Sequence, residues 1–254
     1  MRAIPTRPLL RLTGQAIHDY GMIQAGDRVL LGVSGGKDSL SLFHVLQHLK
    51  AKAPLPFSLA VATVDPGIEG FDPSPLGAYF AALDVPFFYE RQEIAERAQT
   101  HMGNASFCSF CSRMRRGILY RVARDQGYTV LALAQHLDDL AESFLMSAFH
   151  GGQLHTMRAH YRVDAGDLRV IRPFVYVRER ALADFAQRAA LPVIADNCPA
   201  CFRGPTERSR MKALLAAEER HHQGLFPSLL RAMRPLMGGA DPALADTARH
   251  PPVP

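Results

Sequence analysis

Apolar and polar positions along this chain follow two different periods. Short apolar runs at Arg28–Val33 and Phe57–Val64 have no helical spacing and predict buried strands. Val85–Tyr89, Tyr128–Leu133 and Leu168–Ile171 read the same way. Between them, Ser39–Leu49 places Leu40, Leu42, Phe43, Leu46 and Leu49 as a helix would. Pro75–Leu83, Cys111–Asp125, Asp138–Phe149, Arg178–Ala189 and Pro205–His221 are further helix candidates. Strands alternating with helices predict an α/β fold: a doubly wound, mostly parallel sheet with helices on both faces. The expected divisions are an N-terminal helical arm (1–25), an α/β domain (26–200), a C-terminal helical segment (201–237) and a disordered tail (238–254) rich in Gly, Ala and Pro.

The turn after the first strand carries the strongest chemical signal, Ser34-Gly35-Gly36-Lys37-Asp38-Ser39. Strand, glycine turn, helix is the context of a phosphate loop. Gly35 and Gly36 let backbone N–H groups approach an anion, and the helix N-terminus favours one. Lys37 adds a point charge, and Ser34 and Ser39 add hydroxyls. Asp38 would repel phosphates unless it holds a magnesium ion that bridges them. The spacing does not fit the Walker loop. It resembles the PP-loop of the ATP pyrophosphatase superfamily, whose members split ATP between the α and β phosphates and adenylate a substrate. The resemblance implies a Rossmann-like, adenine nucleotide alpha hydrolase-like fold, with ATP and Mg2+ as cofactors.

In such sheets ligands sit at the carboxyl ends of strands. Asp65 falls there, and so does Gln135-His136-Leu137-Asp138-Asp139. The acids would ligate magnesium or contact ribose and pyrophosphate, or simply cap a helix. His136 could orient the reacting base.

A net charge of +5 and a pI of about 9.2 permit a nucleic-acid partner. No apolar run approaches the ~20 residues of a membrane span. The start of the chain has no apolar signal core, so the expected location is cytoplasmic. Disulfides are rare there, and the four cysteines point to metal or redox chemistry. They form two C-x-x-C pairs, Cys108–Cys111 and Cys198–Cys201, both expected in loops. The residues alone leave three readings open: a structural zinc site, an iron–sulfur cluster, or redox thiols.

Cys108-Ser109-Phe110-Cys111-Ser112-Arg113-Met114-Arg115-Arg116 resembles the cysteine motif of the tRNA 2-thiocytidine biosynthesis family. So do Gly26-Asp27-Arg28, Phe149-His150-Gly151-Gly152 and Val170-Ile171-Arg172-Pro173-Phe174, in the same order from about Gln15 to about Arg210. The resemblance implies an ATP-dependent sulfurtransferase acting on a cytidine of the tRNA anticodon loop. Its 4Fe-4S cluster would be held by Cys108, Cys111 and Cys201, with Cys198 a neighbour. Asp38, Asp139 and Cys201 become the candidate catalytic residues. The implied partners are tRNA and a cysteine desulfurase or other sulfur donor. A homodimer is compatible with this reading.

The chain departs from the family pattern in places. Ala134-Gln135-His136-Leu137-Asp138-Asp139 stands where the family shows Gly-His-His-Arg-Asp-Asp, and Gln153 and His155 replace lysines. RNA contacts would be expected there, so a small heterocycle is a rival substrate. Arg113, Arg115, Arg116, Arg121 and Arg124 form the strongest basic cluster. Two alternatives stand beside the leading one: a PP-loop ligase or thiolase of a small heterocycle, with structural zinc or a cluster, and a non-catalytic RNA-binding or cluster-sensing protein.

Overall fold

Val29, Leu30 and Leu31 are all wholly buried. Consecutive residues of a strand achieve that only where both faces of a sheet are covered. The computed structural model describes residues 3–68, 70–94, 96, 107–194 and 206–238, and of 107–109 the backbone alone. The elements in chain order are α1 (Arg7–Asp19), β1 (Arg28–Gly32), α2 (Lys37–Lys52), β2 (Ser58–Asp65), α3 (Ser74–Ala81), β3 (Phe87–Arg91) and α4 (Phe107–Asp125). After them come β4 (Val130–Ala132), α5 (Leu137–Gly151), β5 (His160–Arg162), β6 (Arg169–Ile171), α6 (Glu179–Arg188), α7 (Glu207–His221) and α8 (Leu225–Met237).

The strands form one six-stranded sheet in the order β3-β2-β1-β4-β6-β5. All neighbours pair in parallel except β5 with β6. The fold is therefore doubly wound α/β. Successive residues of β1 serve opposite faces. Val29 and Leu31 join Val61, Val130 and Ile171 in a core shared with α2, α3, α5 and α6. Leu30 joins Ala60, Ala62, Leu131 and Val170 in a second core with Ile118, Leu119, Val122 and Ala123 of α4. Among the described helices, α4 alone covers that face.

This topology places the site. The chain winds outward from β1 through β2 to β3, then returns to the other side of β1 as β4. Strand order reverses between β1 and β4, and ligands bind at the carboxyl ends of strands at such a switch point. At the opposite ends of the strands, Asp27 and Arg169 form a buried ion pair that fastens the start of β1 to β6. Asp27 also accepts a hydrogen bond from the Gln24 amide at 2.6 Å.

The predicted strands and helices lie within a few residues of the observed ones, with two differences. Cys108 and Cys111 are not in a loop. They lie in the first turns of α4, which starts at Phe107 rather than at the second cysteine. No Gly or Pro interrupts the chain from Ala105 to Arg116, so nothing breaks the helix before Cys111. The sequence also gave no signal for β5. His160-Tyr161-Arg162 is too short and polar to read as a strand, and it becomes one by pairing along β6. No described helix is long and apolar enough to cross a membrane. Cys198, Cys201 and the expected disordered tail beyond Gly238 lie outside the described residues.

Candidate active site

Two helices begin side by side at the switch point, α2 after β1 and α5 after β4. The loop into α2 is shaped by glycine. Gly35 has φ +85°, a conformation side chains disfavour. A Cβ on Gly35 would sit 2.8 Å from Ile194 Cδ1. The Ile194 amide donates to the Gly35 carbonyl at 3.0 Å and pins the loop from outside. Gly36 is the N-cap of α2 and supplies no side-chain cap. The serine hydroxyls set the turn: Ser39 Oγ donates to the Gly36 carbonyl at 3.0 Å, and the Gly36 amide donates to Ser34 Oγ at 3.3 Å.

Lys37 Nζ lies 2.9 Å from Glu179 Oε1 and 3.2 Å from Asp38 Oδ2. Glu179, at the start of α6, also holds Lys212 Nζ at 2.6 Å. Burial opposes the charge of Glu179, yet the two lysines hold its carboxyl down to about 2. Burial likewise opposes the charge of Lys37, and the carboxylates around it outweigh burial and push its pKa up. Asp38 is pushed above the usual carboxylate range by burial, against the pull of His136 and Lys37. Its Oδ1 is buried without a hydrogen-bond partner.

The α5 terminus is closed by its own side chains. The Asp139 amide donates to His136 Nδ1 at 3.3 Å, and the His136 amide donates to Asp139 Oδ2 at 3.1 Å, a reciprocal capping box. Nδ1 accepts, so Nε2 is the nitrogen turned to the acids, 3.4 Å from Asp139 Oδ2 and 3.9 Å from Asp38 Oδ2. Asp139 Oδ1 accepts from Arg208 Nη1 of α7 at 3.1 Å. Asp138 turns elsewhere: it accepts from Arg178 Nε at 3.1 Å and from the Glu179 amide at 2.7 Å, so it caps α6. Asp65 accepts from the Gly67 amide at 2.9 Å and the Tyr89 hydroxyl at 2.6 Å, which fixes the turn after β2.

A cleft of about 410 Å³ opens at this point. Ser34, Asp38, Ser39, Cys111 and Asp139 line it, so five of the predicted site residues face one space. Lys37, Asp65, His136 and Asp138 do not line it. Ala62, Val64 and Ile68 make an apolar wall on the β2 side; Leu133, Ala134 and Gln135 make the wall on the β4 side. From α4 come Cys111, Arg115 and Arg116, and from α7 comes Arg208. Cys111 is buried. Arg115 Nε is buried without a partner. The rest of the basic cluster divides. Arg121 pairs with Glu90 at 2.6 Å and Arg124 with Asp167 at 2.6 Å, away from the cleft.

Residues 9–215 match the PP-loop domain family. The tRNA-cytidine(32) 2-sulfurtransferase of Geobacter sulfurreducens is 38% identical over 222 residues, 87% of this chain and 86% of that protein. The one from Syntrophotalea carbinolica is 40% identical over 230 residues, 89% of this chain and 88% of that protein. The chain belongs to the tRNA-cytidine(32) 2-sulfurtransferase family. Its fold is also shared by a solved structure, the U34-tRNA thiolase NcsA from Methanococcus maripaludis with its [4Fe-4S] cluster. That match has a TM-score of 0.69 at 22% identity and covers 90% of this chain and 78% of that one.

Within this family member, the structure adds site residues that motif reading did not find. Glu179 and Arg208 approach the loop and the α5 terminus from helices 142 and 69 residues away in the chain. No local pattern announces either one. Gln135, which the sequence places at a strand's carboxyl end and which departs from the family pattern, occupies a wall of the cleft.

Proposed function

We propose that this protein is an ATP-dependent sulfurtransferase that adenylates a cytidine of the tRNA anticodon loop and replaces its C2 oxygen with sulfur. One observation carries the reading: Asp38 and Ser39 of the phosphate loop share a single cleft with Cys111, Arg115 and Arg116 of α4. An enzyme that activates a base with ATP and then delivers sulfur needs both functions at one carbon.

The open backbone amides of the loop and Lys37 bind the ATP phosphates, as a helix N-terminus does for an anion. The C2 carbonyl oxygen of the pyrimidine attacks the α-phosphorus, and pyrophosphate leaves. Arg208, Arg115 and Arg116 offset the negative charge that develops. Asp38 fits a magnesium ion, and Asp139 would join it by exchanging Arg208 for the ion. Both face the cleft, and the orphaned Oδ1 of Asp38 is a buried acceptor that lacks a donor.

A cluster fits the donor set as well. Cys108 and Cys111 are three residues apart in the sequence of α4, and Cys111 lines the cleft. Cys201 would be the third ligand and Cys198 a neighbour, in the segment that leads into α7. When bound, a 4Fe-4S cluster with one iron free of cysteine supplies the sulfur that displaces AMP at C2. A cysteine desulfurase or similar donor would replenish it, with a two-electron reductant to bring persulfide sulfur to the sulfide level. The reaction belongs in the cytoplasm, where tRNA is found.

The test is mass spectrometry of tRNA nucleosides from a deletion strain. 2-Thiocytidine should be absent, should return with the wild-type chain, and should stay absent with Cys201→Ser. Thiocytidine that persists in the deletion strain would remove this function. Activity in Cys201→Ser would remove the three-cysteine cluster.

A further inference from the structure

Gln135 stands at the carboxyl end of β4 and lines the cleft. Its side-chain oxygen accepts from Arg172 Nε at 3.0 Å. Arginine offers donors and no acceptor. The amide therefore cannot be turned over: its oxygen faces Arg172 and its NH2 faces away. Arg172 is itself immobilised. It is 4% exposed, its Nη1 donates to the Arg158 carbonyl at 2.6 Å, and its guanidinium lies over the Tyr161 ring at 5.5 Å. No described residue accepts a hydrogen bond from the Gln135 NH2.

The two long walls of the cleft differ in kind. The β2 wall of Ala62, Val64 and Ile68 offers apolar surface to a flat ring. The β4 wall offers a fixed pair of donors beside Asp139 and Arg208. A molecule seated there gains most by presenting acceptors.

We propose that Gln135 reads the acceptor edge of the reacting base and so selects cytosine over uracil. The proposal rests on the sulfurtransferase reading above. In cytosine the N3 next to the C2 carbonyl is unprotonated and accepts a hydrogen bond. In uracil N3 carries a proton, and the Gln135 NH2 meets it donor against donor. Arg172 enforces the choice by denying the amide its other orientation. Histidine at 135 would obey the same logic: the nitrogen facing Arg172 must accept, so the ring proton faces the cleft as a donor.

The experiment compares two anticodon stem-loop RNAs, with C or with U at the target position. Binding is measured by fluorescence anisotropy without ATP, and thiolation by mass spectrometry with the cluster-loaded enzyme. Wild type should prefer the C-containing RNA in both. Gln135→Glu, an acceptor without donors, should cut the C-over-U ratio by about tenfold to a hundredfold, the range for losing one good base contact. Gln135→His should restore the preference. Gln135→Leu, which adds no charge beside Arg172, should lose it and serves if the Glu variant folds poorly. An unchanged ratio in Gln135→Glu and Gln135→Leu overturns the inference and leaves the sulfurtransferase reading standing. A wild-type enzyme that thiolates neither RNA overturns both.

Discussion

The helices α2 and α5 start side by side at the carboxyl ends of adjacent parallel strands, yet their N-termini are finished in opposite ways. Gly36 gives α2 no side-chain cap. His136 and Asp139 cap α5 reciprocally. An open terminus leaves N–H groups to be satisfied by a ligand; a closed one has spent its donors. The acids follow suit. Asp38 at the open end keeps a buried oxygen without a partner. At the closed end Asp138 caps α6, and Asp139 divides its oxygens between the cap and Arg208. On the function proposed above, phosphate binding is assigned to α2. Positioning of the neighbouring elements belongs to α5.

The largest effect expected from this contrast is on ATP. Lys37→Ala should weaken ATP binding by about 1.5–3 kcal/mol, the range for a hydrogen bond to a charged group. Calorimetry with a non-hydrolysable analogue reads it directly. Comparable affinity in the variant and wild type would break the assignment of phosphates to α2.

A second expectation concerns the carboxylates gathered on α5. Burial, and then Asp139, push the Glu142 carboxyl up to about 7. The folded state thus holds this proton more tightly than the unfolded chain. Ionising Glu142 then costs stability progressively as pH rises from the unfolded value near 4.5 through 7, and the cost is complete above that. Glu142→Gln should be neutral near pH 4 and stabilising by about 1–2 kcal/mol at pH 8. Denaturant titrations at the two pH values give the answer, and a pH-independent difference would show that Glu142 is not the titrating group.

The cap itself comes next. His136→Ala should cost about 1 kcal/mol of stability, as loss of an N-cap does, and should shift ATP affinity far less than Lys37→Ala. If the two variants lose ATP equally, the contrast between the helix ends fails.

The smallest effect sharpens the comparison from the side of α4. Arg115 and Arg116 face the cleft, whereas Arg121 and Arg124 are paired with acids away from it. Arg116→Ala should lower the slope of log K against log salt for tRNA binding by about one, and Arg121→Ala should leave it alone. Equal slopes for both would place the RNA elsewhere.

Much of the scaffold was legible in the sequence. The apolar runs within β1 and β2 announced buried strands, and the strand–SGGKDS–helix order announced the loop. The position of Cys108 and Cys111 was misread because a loop was assumed around them, although no helix breaker lies between Ala105 and Arg116. From sequence Asp139 is a catalytic candidate and Asp138 a cofactor-binding one; in the structure Asp139 lines the cleft and Asp138 caps α6. Adjacent residues on a helix point about 100° apart, and only the packing of α6 and α7 shows which carboxylate each neighbour takes.

The sequence by itself determined what is local and periodic in this protein: the glycine turn, the helical and strand-like runs, the paired cysteines, and the excess of positive charge. Each depends on residues within a few positions of one another, where backbone sterics and side-chain spacing act directly. Tertiary structure alone decided which of these meet. It put Glu179 against Lys37 across 142 residues. It used Arg172 to fix the orientation of Gln135, and it turned Cys111 into the cleft that holds Asp38. Contacts of that kind are created when the sheet reverses its strand order between β1 and β4, and no short stretch of sequence encodes that reversal.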